Sequence, residues 1–555
     1  MLEQSFTKHL EVTMSRSSIL KIFLFLGASA AVAVAQTQTG GALAKPSKPR
    51  IIVTTDPERD DSNSMVRFLL YSTDYQVEGL VYASSQFHWK GDGTGKTWFV
   101  AGRQYTRDGR KICPCTSWRW ENHYIHDAVA AYEKAYPNLK IHNVDYPAPE
   151  YLKSVIRYGN IEFDGEMSKD TPGSNLIKEK ILDDKPGPLY ITAWGGSSTI
   201  ARALKSIQDQ YEGTVEWAPL QDKISKKVII LGGDQDNTDA RYIRPNWPNI
   251  PHGITGGWRG VPLGYGAQRG LQPEDAQYYS TKWEKENISS KGPIGAFWRV
   301  WGDGKQMAEG SGIDPFDYFG LSGYTEEQLT AMGYLVWFPV GEKGSFLAEG
   351  DSGTFMPLLD TGLRSSGNNL TRQSGGLGAM PTSGAGAGRG AASTSGAAGG
   401  AGAPRQVTSA EMLASIKSRS PSPRPDPDFI PAVWNDFAAR MKWAVTPSYK
   451  DANHKPTVEV QGPLDRTAKP GATVELSALT ADPDKNLVSV KWWQYKNSGT
   501  YPGAIKIAAP TALKTSFQVP ADAEPGATIH VVVEATDNGT PALTHYRHLV
   551  ITVEK

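Results

Sequence analysis

A change of period divides this chain and limits what it can fold into. Between Arg50 and Gly233, short apolar runs alternate with stretches whose apolar residues recur every three or four positions, whereas beyond Pro456 they recur every second position. The runs Arg50-Ile51-Ile52-Val53-Thr54, Val77–Ala83, Pro188–Ala193 and Lys227–Leu231, the last ending at Gly232-Gly233, have the length and composition of strands. Ser64–Tyr71, His126–Tyr136 and Ser198–Ile207 have helical spacing. Such alternation predicts an α/β domain, a mostly parallel open sheet with helices on both faces, with ligands bound beyond the carboxyl ends of its strands. The period-two segments near 473–478, 488–493, 516–519, 528–533 and 548–553, punctuated by Pro, Gly, Asp and Asn, predict an all-β, immunoglobulin-like sandwich.

Residues 374–403 are almost entirely Gly, Ala, Ser and Thr, too apolar-poor to offset the entropy of ordering, and read as a disordered insertion. Phe429–Val445 then regains helical spacing, so the boundary belongs later, giving domains at 50–453 and 454–555. At the other end, Arg16 and Lys21 precede the apolar run Ile22–Leu26, and Ala33-Val34-Ala35 precedes Gln36. That order predicts a signal peptide over 1–35, a linker over 36–49, and a secreted or periplasmic location. The apolar run is too short for a membrane span, and no later stretch approaches one. Lys+Arg and Asp+Glu both number 58, so no basic excess exists to neutralise a nucleic-acid backbone. Cys113 and Cys115, the only two cysteines, are too few for a disulfide framework or a metal site and read as either a local disulfide or two thiols.

The first strand runs directly into Asp56-Pro57-Glu58-Arg59-Asp60-Asp61. Carboxylates so close repel one another unless a proton or cation shares the site, and oxygen-only donors suit a hard ion such as Ca2+. An acidic helix cap, with Asp60 or Asp61 accepting from backbone amides, explains the same pair equally well. His88 follows the second strand, where a side chain titrating near neutrality can assist a leaving group or touch a substrate; a hydrogen-bonded loop histidine is the alternative. The 91–97 stretch fails as a phosphate loop because Lys90 stands where its first Gly is needed. Asp482-Pro483-Asp484 and Asp537-Asn538-Gly539 read as Asx-turns. Trp492 and Trp493 alternate across a strand, one predicted for the core and the other free to face a ligand. With 16 Trp and 23 Tyr, flat side chains that stack on sugar rings are plentiful.

The 51–61 segment resembles the signature of the nucleoside hydrolases, Asp-Thr-Asp-Pro-Gly-x-Asp-Asp, with Thr54 in place of its first Asp and Glu58 in place of its Gly. The resemblance implies that Asp56 is the general base and that Asp60 and Asp61 are the accompanying carboxylates. It places Gln86 near a sugar-binding Asn, the Trp194 carbonyl among the calcium ligands and near substrate, and Asn246 of Arg244-Pro245-Asn246 on a ribose-binding Asn. Asp351 of Glu349-Gly350-Asp351 falls on the remaining calcium carboxylate, while Gly350 replaces a leaving-group His and Arg244 an acidic partner. A closer resemblance is to a branch labelled cellulose-binding protein, which joins a nucleoside-hydrolase-like domain to an immunoglobulin-like one. It is carried by Phe87–Gly93, Trp301-Gly302-Asp303-Gly304, Glu349-Gly350-Asp351, Lys442-Trp443, Ala452-Asn453-His454 and Trp492–Tyr495. Together these imply a secreted, calcium-dependent hydrolase of N- or O-glycosyl bonds, with Ca2+ held by Asp56, Asp60, Asp61, Asp351 and the Trp194 carbonyl, and a carbohydrate or glycoside as partner. The alternative is a non-catalytic carbohydrate-binding protein on the same scaffold.

Overall fold

The apolar run at Arg50 becomes the central strand of a sheet because both its faces are covered. In the computed structural model, which describes residues 48–254, 258, 260–306, 314–364, 407–420 and 426–555, β1 (Arg50–Thr55) leads through a short turn to α1 (Arg59–Leu70). There follow β2 (Gln76–Tyr82), α2 (Tyr124–His142), β3 (Ile156–Tyr158), α3 (Pro172–Leu182), β4 (Leu189–Ala193), α4 (Ser198–Tyr211), α5 (Trp217–Lys227) and β5 (Val228–Gly232). The strands pair in the order β3-β2-β1-β4-β5, all parallel. Ile51 and Val53 point into a core shared with α1 and α2, and Ile52 points the other way into one shared with α3, α4 and α5. Helices thus cover both faces, and the strand order reverses between β1 and β4, where parallel sheets open a crevice. The stretches 1–35, 36–47 and 374–403 lie outside the described residues.

Two helices run further than their apolar spacing indicates. α1 begins at Arg59 rather than near Ser64, with Asp60 and Asp61 in its first turn, where the helix dipole favours negative charge. Its N-cap position belongs to Glu58, whose side chain makes no capping hydrogen bond. α2 continues through Pro137 to His142. The lost backbone bond is outweighed there by tertiary contacts: His142 Nε2 bonds the Thr446 carbonyl at 2.7 Å and its ring stacks on Trp443. Cys113 and Cys115 form a disulfide, which takes both sulfurs out of any metal chemistry.

The helix α6 (Ile430–Trp443) packs back on the first domain and precedes the sandwich. The sandwich comprises β6 (Thr457–Val460), β7 (Asp465–Ala468), β8 (Thr473–Ala481), β9 (Val488–Gln494), β10 (Lys514–Gln518), β11 (Thr528–Asp537) and β12 (Thr544–Val553). One sheet has the order β10-β8-β6 and the other β7-β12-β11-β9. Trp492 fills the sandwich core. Trp493 faces not a ligand but the first domain, against Phe429 and Tyr495, with its indole N–H donated to Glu534 at 3.1 Å. β11 is covered on both sides: Val531 and Val533 enter the sandwich core, while Val532 joins the core of the α/β part.

The Trp443 and Asn453-His454 segments turn out to be the joint. Trp443 donates to the Asn453 carbonyl at 2.9 Å, Asn453 donates to Asp537, and His454 bonds His142 and Asp484, each at 3.0 Å. Asp482 and Asp537 accept backbone amides within their own turns, as Asx-turns do. Lys48–Lys555 is accordingly one compact unit. Phe429, which packs on Trp493, Tyr495 and Tyr546, tests that seam. Phe429→Ala should cost about 3–5 kcal/mol, read as a lower urea midpoint, and should split a single unfolding transition into two.

Candidate functional site: an acidic crevice at the strand reversal

β1 and β4 end side by side, the Trp194 amide donating to the Thr54 carbonyl at 2.9 Å. Asp56 follows the first strand and the Trp194-Gly195 backbone follows the second. A Cβ at Gly195 would lie 2.6 Å from the Asp56 carboxyl carbon, so glycine is what lets the backbone pass against the acid. Asp56 is fully buried, and neither of its oxygens has a hydrogen bond of normal geometry. Thr55, itself bonded by Tyr124, donates to Asp61 at 2.5 Å.

One face of α1 fixes the other wall. Residues 60, 63 and 67 fall on the same side of a helix, and each grips the 348–350 segment. Asp60 accepts the Gly350 amide at 3.2 Å, Asn63 donates to the Ala348 carbonyl at 2.7 Å, and Arg67 makes a two-pronged pair with Glu349 at 2.5 and 2.6 Å. Asp351 is thereby delivered to the acid-rich turn. Carboxylate oxygens of Asp60, Asp61 and Asp351 lie within 4.8 Å of one another, and so do those of Asp56, Glu58 and Asp61.

This crowding shows in the proton affinities. Burial, with the Asp60 charge adding, pushes Asp56 up to about 7, although the Ser85 hydroxyl offsets part of the rise. Burial likewise pushes Asp60 up to about 6 against the opposing Tyr265 hydroxyl and Gly350 amide. Burial and the neighbouring carboxylates push Glu58, Asp61 and Asp351 well above the usual range. Unpartnered, buried oxygens on Asp56 and Asp60 in an all-oxygen set are what a hard cation needs. The residues fit a metal ion, and the crevice is a candidate metal centre.

The remaining predicted residues divide. His88 is wholly buried at the crevice; its Nδ1 lies 2.8 Å from the Arg119 carbonyl and its Nε2 lies 3.9 Å from Glu58. Since a carbonyl only accepts, Nδ1 carries the proton and Nε2 is a bare acceptor. Burial first, then the charges of Arg119 and Arg59, hold the ring well below its usual pKa. Gln86 is buried in the same post-β2 turn, its amide 3.4 Å from the Gln235 carbonyl. Asn246 is not brought to the carboxylates by any described contact: its amide donates to the Tyr242 carbonyl and its own carbonyl accepts from Gln221 on α5. Arg244, beside it, is paired with Asp239. Sequence reasoning passed over Tyr265 and the ion pairs Arg59–Asp317 and Arg119–Asp314, the latter at 2.6 Å. Only the Arg59 position, inside the acidic motif, gave any signal.

Residues 50–377 match the family model described as cellulose-binding Sde182, nucleoside hydrolase-like domain. The chain belongs to this family. Residues 473–553 match the model for the C-terminal domain of cellulose-binding protein Sde0182. All five crevice carboxylates lie inside the first match, while α6 and the Asn453-His454 joint lie between the two. Among solved structures, a nucleoside hydrolase-related hypothetical protein from Saccharophagus degradans, described as associated with carbohydrate metabolism, is 24% identical with a TM-score of 0.60. That match covers 91% of this chain and 100% of that one, and it shows the same fold. A human CDH23 fragment (21% identity, TM-score 0.14, 18% of this chain, 33% of that one) and murine CRIg (16%, 0.13, 18% and 98%) match too little to carry an argument. No curated protein sequence matches. Among the described residues, no helix is long and apolar enough to cross a membrane.

The raised acids make a signed prediction. A carboxyl whose folded pKa lies above its unfolded value stabilises the fold at low pH and loses that contribution as pH rises through the folded value. With Asp56 at about 7 and Asp60 at about 6, both raised from 3.8, the melting temperature of chelator-treated protein should fall between about pH 4 and 7. A divalent ion that occupies the crevice should raise it more at the upper end, where protons no longer compete. A second test concerns Gly350, where a Cβ would meet Asp60 Oδ2 at 2.5 Å. Gly350→His should therefore destabilise by about 1–3 kcal/mol, read as a lower melting temperature, and weaken any divalent-ion binding seen in calorimetry.

Proposed function

We propose that this protein hydrolyses a glycosidic bond of a furanoside or related sugar, with Asp56 as general base and calcium held by Asp56, Asp60, Asp61, Asp351 and the Trp194 carbonyl. The observation that carries the reading is the buried Asp56 carboxylate at the strand reversal, neither of whose oxygens has a hydrogen bond of normal geometry. When bound, a calcium ion would supply a fixed positive charge that eases removal of a proton from a nearby water. Asp56 receives that proton, and Asp60, held by the Gly350 amide, keeps the crevice geometry. The first strand's register, the Gly195 approach and the α1 grip on 348–350 do the positioning.

The leaving group receives no help from position 350, where this chain has glycine, and His88, whose proton sits on Nδ1 against the Arg119 carbonyl, has none on Nε2 to give. Substrates whose leaving group departs without protonation are therefore favoured, and purine nucleosides are disfavoured. The family's description as cellulose-binding supports a carbohydrate partner, and the leader-like order of residues 14–36 supports export. The same absence of an acid at 350 favours a second reading, a carbohydrate-binding protein that retains the crevice without turnover.

Aryl furanosides, ribonucleosides and cello-oligosaccharides, assayed with calcium and with chelator, separate the two. Turnover of an aryl furanoside should require calcium, and Asp56→Asn should lower it by roughly a hundred- to ten-thousand-fold while sugar binding persists. Binding of cello-oligosaccharides with no turnover of any glycoside by the wild type would establish the second reading. Rapid inosine hydrolysis would refute the leaving-group argument.

A further inference from the structure

Asp56 joins a group compact enough to share one ion only in the company of Glu58. Two such groups occur among the described residues, each with its ligand oxygens within 4.8 Å of one another: Asp60, Asp61 and Asp351 form one, and Asp56, Glu58 and Asp61 form the other. Asp61 is common to both. An ion that touches Asp56 and Asp61 therefore lies within reach of Glu58 as well. Calcium takes about six to eight oxygens, and the donors named above give fewer when each supplies a single atom.

The Glu58 backbone is pinned while its carboxylate is left free. Its amide donates to the Asp56 carbonyl at 2.8 Å and its own carbonyl accepts the Ser62 amide at 3.2 Å. The side chain nevertheless forgoes the capping bond that a residue just before a helix can make. Its approach to His88 Nε2, at 3.9 Å, is too long for a hydrogen bond. Asp56 and Asp61 are sealed at 0% and 1% exposure, whereas the Glu58 side chain keeps 16% of its surface in solvent. Glu58 thus stands on the open side of the crevice, where a ligand from solution arrives.

We propose that Glu58 is a further ligand of the crevice ion, filling from the solvent side the coordination position that a water molecule or a sugar hydroxyl would otherwise take. The nucleoside hydrolase signature has glycine here and so no side chain to offer; this chain carries a donor of its own. Before substrate arrives, Glu58 shields the ion, and a sugar hydroxyl reaches it by displacing that carboxylate. Residue 58 therefore sets how strongly a substrate oxygen must bind to be accepted. The inference rests on the ion-binding part of the reading above and not on turnover.

Terbium, which replaces calcium in oxygen-rich sites, reports the number of waters bound to it through its luminescence lifetimes in H2O and D2O. The full chain is stripped with chelator and loaded with terbium, and calcium affinity is measured in parallel by calorimetry. Glu58→Gly should place at least one more water on the ion than the wild type carries and weaken calcium binding by about tenfold, as loss of a charged ligand does. Glycine is well tolerated at an N-cap, and melting of the ion-free variant checks that it folds; Glu58→Ala is read in the same way should glycine fail. An unchanged water count overturns the proposal whatever happens to the affinity, because a carboxylate acting by charge alone alters only the latter. Failure of the wild type to bind either ion would sink the calcium reading itself, whereas ion binding with a water count indifferent to residue 58 sinks this inference alone.

Discussion

The buried pair between Arg67 and Glu349 is the contact on which the crevice depends. Both side chains are wholly inaccessible, the guanidinium is sandwiched toward Phe437 and Trp434 of α6, and Ser352 donates to the same carboxylate. Removing one partner of such a pair leaves a bare charge in the core and typically costs about 3–5 kcal/mol. Here the pair also sets position. Glu349 is two residues from Asp351, so the ion pair that anchors the segment to α1 also decides whether the fourth wall of the acidic crevice exists.

The same pair explains why a helix from beyond the first family match belongs to the first domain. α6 supplies the aromatic faces over Arg67 and, through Arg440, bonds the Leu70 carbonyl and Thr73 just past α1. The far end of α6 then carries Trp443, which begins the joint to the sandwich. Site, buried ion pair, helix and second domain thus form one mechanical series, each member packed on the next. Val532 and Trp493, on the sandwich face turned toward α6, complete it.

How much of this could be read from sequence follows from distance along the chain. The parallel sheet was legible because each strand and its following helix announce themselves locally, and the acidic turn was legible because Asp56, Asp60 and Asp61 are neighbours. Asp351 is legible only through family resemblance, since nothing local in the sequence distinguishes it from any other acid. The strands β3, β6 and β7 were missed because they are three or four residues long, too short to show a period. Alternation tells which face of its strand Trp493 occupies but not that Phe429 covers that face. The start of α1 was placed late because its first turn is polar yet buried, a combination that only the crevice explains. No pattern in the sequence marks which nitrogen of His88 is left bare; that is set by the Arg119 carbonyl, 31 residues away.

Arg67 and Glu349 are separated by 282 residues. A ribosome therefore finishes β1, α1 and the whole acidic turn long before the segment that neutralises Arg67 and closes the crevice has been made. Until then the four carboxylates of that short stretch, Asp56, Glu58, Asp60 and Asp61, lack the segment that closes the crevice over them. Closure of so long a loop adds little entropy per extra residue but delays the event. The acidic crevice is thus completed only by late-made chain, first residues 349–351 and then α6, whose Trp434 and Phe437 cover Arg67.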